Sequence, residues 1–331
     1  MRQGWRREHQ PLALDAAAVA ELIAEAVPGA TICGFDPVVG GISNTNLRVD
    51  LAGGRGRVLL RLYQGDPARA AREAALARSL RARGVPLPRL LHAAGPDPRI
   101  GHHPSLPWAV FDWIEGTSLD QAARDCDGDV LAALGAAVGG AAAAIHAVTF
   151  PRHGFLDAAL DVAAPVDFDA RALCGFLRTR LLDGSGGTRL GRRLTRRLLE
   201  VAKREAGRLA DWPHPPCLVH GDFNPTNILV AARPEGWDVA AVLDWEWAIS
   251  GPPALDFGNL LRPALGMRPD FVAGLARGYR AAGGALPPDW RAIARLADLF
   301  AWADILGRPA IDPAVLADAR RVVRATLRLG A

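Results

Sequence analysis

Cysteine is scarce in this chain and never clustered. Cys33, Cys126, Cys174 and Cys217 form no CxxC pair and lie at no metal-ligand spacing with histidine, which argues against a disulfide framework or a structural zinc as the organising element. Long apolar runs are missing too. The longest, around residues 132–148, is rich in Ala and Gly, short for a bilayer, and broken by His146. The basic start, Met1 to Arg7, is followed by no apolar segment with a small-residue cleavage site. The expectation is a cytoplasmic chain with no membrane partner. A strong excess of one charge is also absent. A formal net charge of +4 over 331 residues suits a polyanionic ligand but is too small to argue for nucleic acid.

Half of the residues are hydrophobic and 22% are charged, a balance that belongs to a globular protein rather than a disordered one. The length is generous for one core and comfortable for two lobes. Helical spacing runs from Asp15 to Val27, with Asp15 placed to cap. Short apolar runs then read as strands of an antiparallel meander: Phe35–Val39, Thr45–Leu51 and Arg57–Tyr63. Pro67–Arg83 returns to helical spacing, and Leu87–Ala93 and Trp108–Trp113 supply two more strands. After Gly116 the pattern is helical, over Gly128–Thr149, Asp169–Leu182 and Leu190–Leu209, with Asp183–Thr188 as a surface loop. The fold expected is α+β and bilobal, with a small, mainly antiparallel β lobe over residues 1–113 and a larger helical lobe over 114–331. The last of those helices is dense in arginine and is read as a solvated face, with an anionic partner as the lesser alternative.

The chemistry concentrates late in the chain. Cys217 to Val230 forms a strand, a polar loop (His220-Gly221-Asp222-Phe223-Asn224-Pro225-Thr226-Asn227) and a second strand. Val242-Leu243-Asp244-Trp245-Glu246 then repeats the device of an apolar strand delivering carboxylates at its end. Asp222, Asn227, Asp244 and Glu246 can therefore converge. Phosphoryl transfer needs such a set: one carboxylate to orient and deprotonate a hydroxyl, and hard oxygen ligands for magnesium. The bland alternative, Asx turns in a loop, serves for either Asp222 or Asn227 alone but poorly for the whole set.

This pair of motifs resembles the aminoglycoside phosphotransferase and choline kinase-like family, distant relatives of protein kinases, from Val38 to about Leu261. The resemblance implies a protein kinase-like fold, with ATP and Mg2+ as cofactors and a small-molecule hydroxyl acceptor. It implies Asp222 as catalytic Asp, Asn227 and Asp244 as metal ligands, and His220 and Asp256 as supporting residues. Glu246 is balanced between a water-mediated contact and a structural role. In the first lobe, Val39 to Asn46 is a candidate phosphate loop carrying Ser43. Arg61 is a lone charge in an apolar strand and wants a partner; Glu73 is the candidate, resembling the cation–glutamate pair of kinases, with Arg replacing the commoner Lys. The hinge resemblance places adenine contacts on backbone groups of Asp112 and Ile114. Acceptor candidates are Asp298, Trp302 and Asp304, without the concentrated acidic wall that a polycation would need. Against this phosphotransferase stands a nucleotide-binding pseudokinase acting as a scaffold.

Overall fold

Apolar alternation in the first third builds one antiparallel sheet. In the computed structural model, which describes residues 9–38, 43–97 and 105–330, the strands are β1 (Ile32–Pro37), β2 (Thr45–Leu51), β3 (Arg57–Leu62), β4 (Leu90–Asp97) and β5 (Leu106–Asp112). They pair in the order β1-β2-β3-β5-β4. In β2 the odd positions Thr45, Leu47, Val49 and Leu51 are buried and those between are half-buried, the period of two that one covered face demands. Leu47, Val49 and Leu60 pack on that face against Val19, Leu22 and Ile23 of α1 (Ala16–Ala26), and Asp15 caps the helix by accepting from the Ala18 N–H. Arg61, between Leu60 and Leu62, points to the opposite face, under α2 (Pro67–Leu80).

Two boundaries differ from the sequence reading. β1 begins at Ile32 rather than Phe35, and its expected end, Val39, lies outside the described residues. β4 begins at Leu90 rather than Leu87, because Pro86 and Pro88 cannot donate to a ladder; the Pro86 carbonyl instead accepts from Val242 of the second lobe.

The second lobe opens with β6 (Thr117–Ser118), α3 (Leu119–Ala122), α4 (Gly128–His146), β7 (Gly154–Leu156) and β8 (Val162–Pro165). It continues through α5 (Ala170–Arg178), α6 (Gly186–Leu190), α7 (Arg192–Glu205), β9 (Cys217–Val219), β10 (Ile228–Arg233), β11 (Gly236–Val242) and β12 (Ile249–Gly251). It ends with α8 (Ala254–Leu260), α9 (Pro263–Gly266), α10 (Pro269–Ala281), α11 (Trp290–Gly307) and α12 (Pro313–Thr326). Two small sheets, ordered β11-β10-β6 and β8-β7-β12-β9, frame the polar loop between β9 and β10.

By length and composition α4 could cross a membrane, but its glycines show a different use. A Cβ on Gly135 or Gly139 would come within 2.2 or 2.3 Å of the Phe271 or Leu275 carbonyl of α10, and Gly274 and Gly278 stand equally close to α4. The two helices meet backbone to backbone inside the lobe. Gly186 and Gly187 correct the expected surface loop over 183–188 in the same way. They begin α6 and are buried, and a Cβ on Gly187 would lie 2.2 Å from the Leu181 carbonyl. Here glycine serves close packing rather than a turn.

Candidate active site

The β9–β10 loop is braced from behind by one buried carboxylate. Asp256 of α8, fully buried, accepts from the His220 N–H at 2.9 Å and the Gly221 N–H at 3.0 Å. His146, the residue that interrupts the apolar tract, completes its shell, with Nε2 3.2 Å from Asp256 Oδ2 and Nδ1 3.1 Å from the Tyr279 hydroxyl. Burial, then the neighbouring Cys217 and Asp256, push the Tyr279 phenol up, so it stays protonated and donates to His146. Gly221 is required twice over. Its φ is +76°, and a Cβ there would sit 2.3 Å from the Trp247 carbonyl.

His220 links this loop to the next strand. Its Nδ1 accepts from the Asp222 N–H at 3.2 Å, which leaves Nε2 as the donor to the Leu243 carbonyl at 2.9 Å. The Leu243 N–H in turn donates to the Asn227 carbonyl at 2.8 Å. The loop and the Asp244 strand are thus held as one unit. Asp222, buried, receives the Asn227 amide on Oδ2 at 2.9 Å, and Asn259 of α8 approaches Oδ1 at 3.5 Å. Since the Asn227 nitrogen faces Asp222, its oxygen is the end available to a cation. Asp244 adopts φ +70°, a left-handed conformation that costs a non-glycine residue about 1 kcal/mol or more.

Residues from the first lobe close the other side. Arg61 reaches both Glu73 oxygens from one nitrogen, at 2.7 and 2.9 Å, and the same nitrogen lies 3.3 Å from Asp244 Oδ1. Its Nε donates to Asn46 Oδ1 at 3.0 Å. Burial works against the Arg61 charge, but Glu73 and Asp244 outweigh it and hold its pKa above the ordinary arginine value. Glu73 also receives the Tyr63 hydroxyl at 2.7 Å and the Trp245 N–H at 3.3 Å, so one carboxylate joins both lobes. The chain's single lysine, Lys203, lies on α7.

A cleft of about 270 Å³ opens between the lobes, lined by Arg61, Glu73, Phe111, Asp112, Ile114 and Asp244 among others. The Asp112 N–H is already committed to the Arg89 carbonyl at 2.9 Å, which leaves its carbonyl for a ligand. Ser43 and Asn44 stand at the start of β2, and Asn44 Nδ2 lies 3.4 Å from Glu246 Oε2. Residues 39–42, with the Gly40-Gly41 pair, lie outside the described residues. Glu246 is almost wholly buried; burial and then Asp244 push its carboxyl up to about 7, against the pull of Arg61.

The acceptor candidates need correction. Asp298 is 3% exposed and closed off by Arg262, at 2.7 to 3.2 Å, and by the Trp302 indole N–H at 3.0 Å. Trp302 is buried beneath the same guanidinium, 4.6 Å from its ring. Both therefore form a closed core cluster and are not open to an acceptor. Asp304 remains partly exposed, shared between Arg180 at 3.1 Å and Arg308 at 3.6 Å. The sequence reading missed His146, Asn259, Tyr63 and Asn46. Two of these carried a signal: Tyr63 shares a strand face with Arg61, and Asn46 is its cross-strand partner.

An antiparallel sheet lobe, a helical lobe and a carboxylate–amide set at their junction define a protein kinase-like phosphotransferase. The chain belongs to the phosphotransferase enzyme family, whose model matches residues 34–296, and it is a small-molecule kinase. Among solved structures, the GDP complex of wild-type aminoglycoside 2'-phosphotransferase-IIIa is similar, with a TM-score of 0.71 and 16% identity over 96% of this chain and 100% of that one. Spectinomycin phosphotransferase with ADP and spectinomycin gives 0.61 and 13%, over 96% and 99%. A putative fructosamine-3-kinase from Haemophilus somnus 129PT gives 0.53 and 11%, over 93% and 96%. At such identities the likeness is one of fold. No curated protein matches the chain by sequence.

Proposed function

We propose that the protein transfers the γ-phosphate of ATP to a hydroxyl of a small polar molecule such as an aminoglycoside, sugar or amino alcohol. The observation that carries this is the Arg61 guanidinium shared between Glu73 of the first lobe and Asp244 of the second, on a strand end that the Leu243 N–H ties to the Asn227 carbonyl of the Asp222 loop. Asp222 then orients and deprotonates the hydroxyl, and Arg61 holds phosphate oxygens. The nucleotides bound in the similar structures support the cofactor.

The residues suit magnesium. Among the described residues no group of three His, Cys, Asp or Glu could hold a metal, but the Asn227 oxygen and the Asp244 carboxylate are hard ligands of the kind magnesium takes together with phosphate oxygens. When bound, the ion would neutralise charge developing on the phosphates. The four cysteines are free thiols, in keeping with a reducing cytoplasm. With Asp298 sealed and Asp304 shared between arginines, these carboxylates supply no concentrated acidic wall for a polycation, which ranks a sugar or a singly charged amino alcohol ahead of an aminoglycoside within that class. No observation favours the scaffold alternative.

The test is ATP turnover across a panel of hydroxyl acceptors, with Asp222→Asn beside the parent. Turnover should fall by about 10² to 10⁴, the usual worth of a positioned base, while ATP binding persists. Unchanged turnover in the variant would sink the assignment.

A further inference from the structure

Outside the cleft, α7, α12 and the turn that follows α12 enclose a groove of about 720 Å³ lined by Arg192, Arg193, Arg197, Arg320, Arg324 and Arg328 over an apolar floor, with no carboxylate among the described residues of the lining. Other arginines on or next to these helices are paired: Arg196 with Glu200, Arg204 and Arg208 with Glu205, and Arg321 with Asp318. Among the described residues, none of the six in the groove has a carboxylate within ion-pair distance. Three pairs of them, Arg193 and Arg197, Arg320 and Arg324, and Arg324 and Arg328, recur at the four-residue spacing where like charges repel. Six guanidinium groups are thus gathered in one concavity, and of these Arg320 also donates to the Arg189 carbonyl at 2.6 Å. α7 also begins there, at Gly191, without a side-chain cap, so its first N–H groups add to the positive field.

We propose that this groove binds a small, multiply phosphorylated anion. Guanidinium groups fork onto phosphate oxygens, and the volume is that of a small-molecule site. Single-stranded nucleic acid fits less well, because no aromatic residue lines the groove for bases to stack on. A membrane surface also fits less well: among the described residues the exposed large hydrophobics, Phe155, Leu182 and Met267, lie outside it. No groove residue is shared with the interlobe cleft, so the site is separate from the reaction proposed above.

The probe is inorganic tripolyphosphate, titrated calorimetrically into the full chain in metal-free buffer with saturating adenosine, which carries no phosphate to compete for the groove, filling the cleft. One equivalent should bind the parent. The triple variant Arg193→Gln/Arg197→Gln/Arg324→Gln should bind about tenfold or more weakly, having lost three charge-assisted contacts. A control with the same charge change at paired positions, Arg196→Gln/Arg204→Gln/Arg321→Gln, should keep the parent's affinity. Tripolyphosphate should raise the unfolding temperature of the parent and not of the groove variant. The free groove variant should unfold no lower than the parent, since repulsion is relieved; should it unfold early, Arg324→Gln alone supplies the comparison. Failure of the parent to bind, or equal weakening in groove and control variants, overturns the proposal. So does a single-stranded oligonucleotide that outcompetes tripolyphosphate at equal phosphate concentration.

Discussion

Asp244 and Asp298 are both carboxylates facing an arginine, and they do opposite work. Asp244 keeps 27% of its side chain exposed and meets Arg61 at 3.3 Å, at the rim of the cleft. Asp298 keeps 3%, takes three contacts from Arg262 and a fourth from Trp302, and has nothing left to offer. Burial alone does not separate them from other acidic residues. What separates them is whether acceptor capacity remains on the side facing the cleft, and that depends on partners far away in sequence.

The largest expected effect tests the closed member of the pair. Asp298→Ala would leave Arg262 buried and unpaired, a loss of about 3–5 kcal/mol measurable by urea unfolding, with the acceptor KM unchanged at temperatures where the variant is folded. Undiminished stability with a raised KM would reverse the contrast and return Asp298 to the acceptor site. Next comes the brace behind the catalytic loop. Asp256→Asn keeps one oxygen but turns an NH2 toward a donor that had been satisfied, costing about 1–3 kcal/mol. Turnover should fall along with stability, because the His220 and Gly221 N–H groups position Asp222. Full turnover at lowered stability would reduce Asp256 to a purely structural part.

The contrast also explains which features were legible in the sequence. The β1-β2-β3 meander and the meeting of Arg61 with Glu73 follow from local patterns: alternation in β2, a lone charge in β3, a helix beginning at Pro67; the pairing of β3 with β5 rather than β4 carried no such local signal. The contact of Asp222 with Asn227 could be read because one short loop carries both residues. His146 could not, since its partner Asp256 lies 110 residues on and a histidine in an apolar helix names no partner. Asp298 and Trp302 misled because i and i+4 on a helix give a shared face without saying whether that face meets solvent or Arg262. Gly186 and Gly187 misled for a related reason: a glycine pair marks a turn or a close contact equally well, and only the Leu181 carbonyl decides.

The open member of the pair is tested by Arg61→Lys. The guanidinium spreads over Glu73, Asp244 and Asn46 at once, whereas an ammonium is a single point that cannot span them. Losing one or two such contacts should cost about 1–2 kcal/mol, read as roughly tenfold weaker nucleotide binding with the fold intact. Equal affinity would mean that charge alone matters at this position.

The smallest effect in energy contrasts the back wall with the outer surface. Cys217 is fully buried in β9, with its Sγ 3.3 Å from the Gly251 carbonyl, and burial, then Asp256, push its thiol well above the usual range. A raised thiol pKa keeps the group protonated, and the protonated form is unreactive. Cys33 is exposed. At pH 8 a thiol-specific chromogenic reagent should therefore label Cys33 rapidly and Cys217 only after denaturant is added, as resolved by peptide mapping. Raising the pH to 9 should still leave native Cys217 unlabelled. Labelling of Cys217 in the native state would show that the wall behind the catalytic loop opens, and the brace formed by Asp256 would then be far looser than the Asp298 cluster behind it.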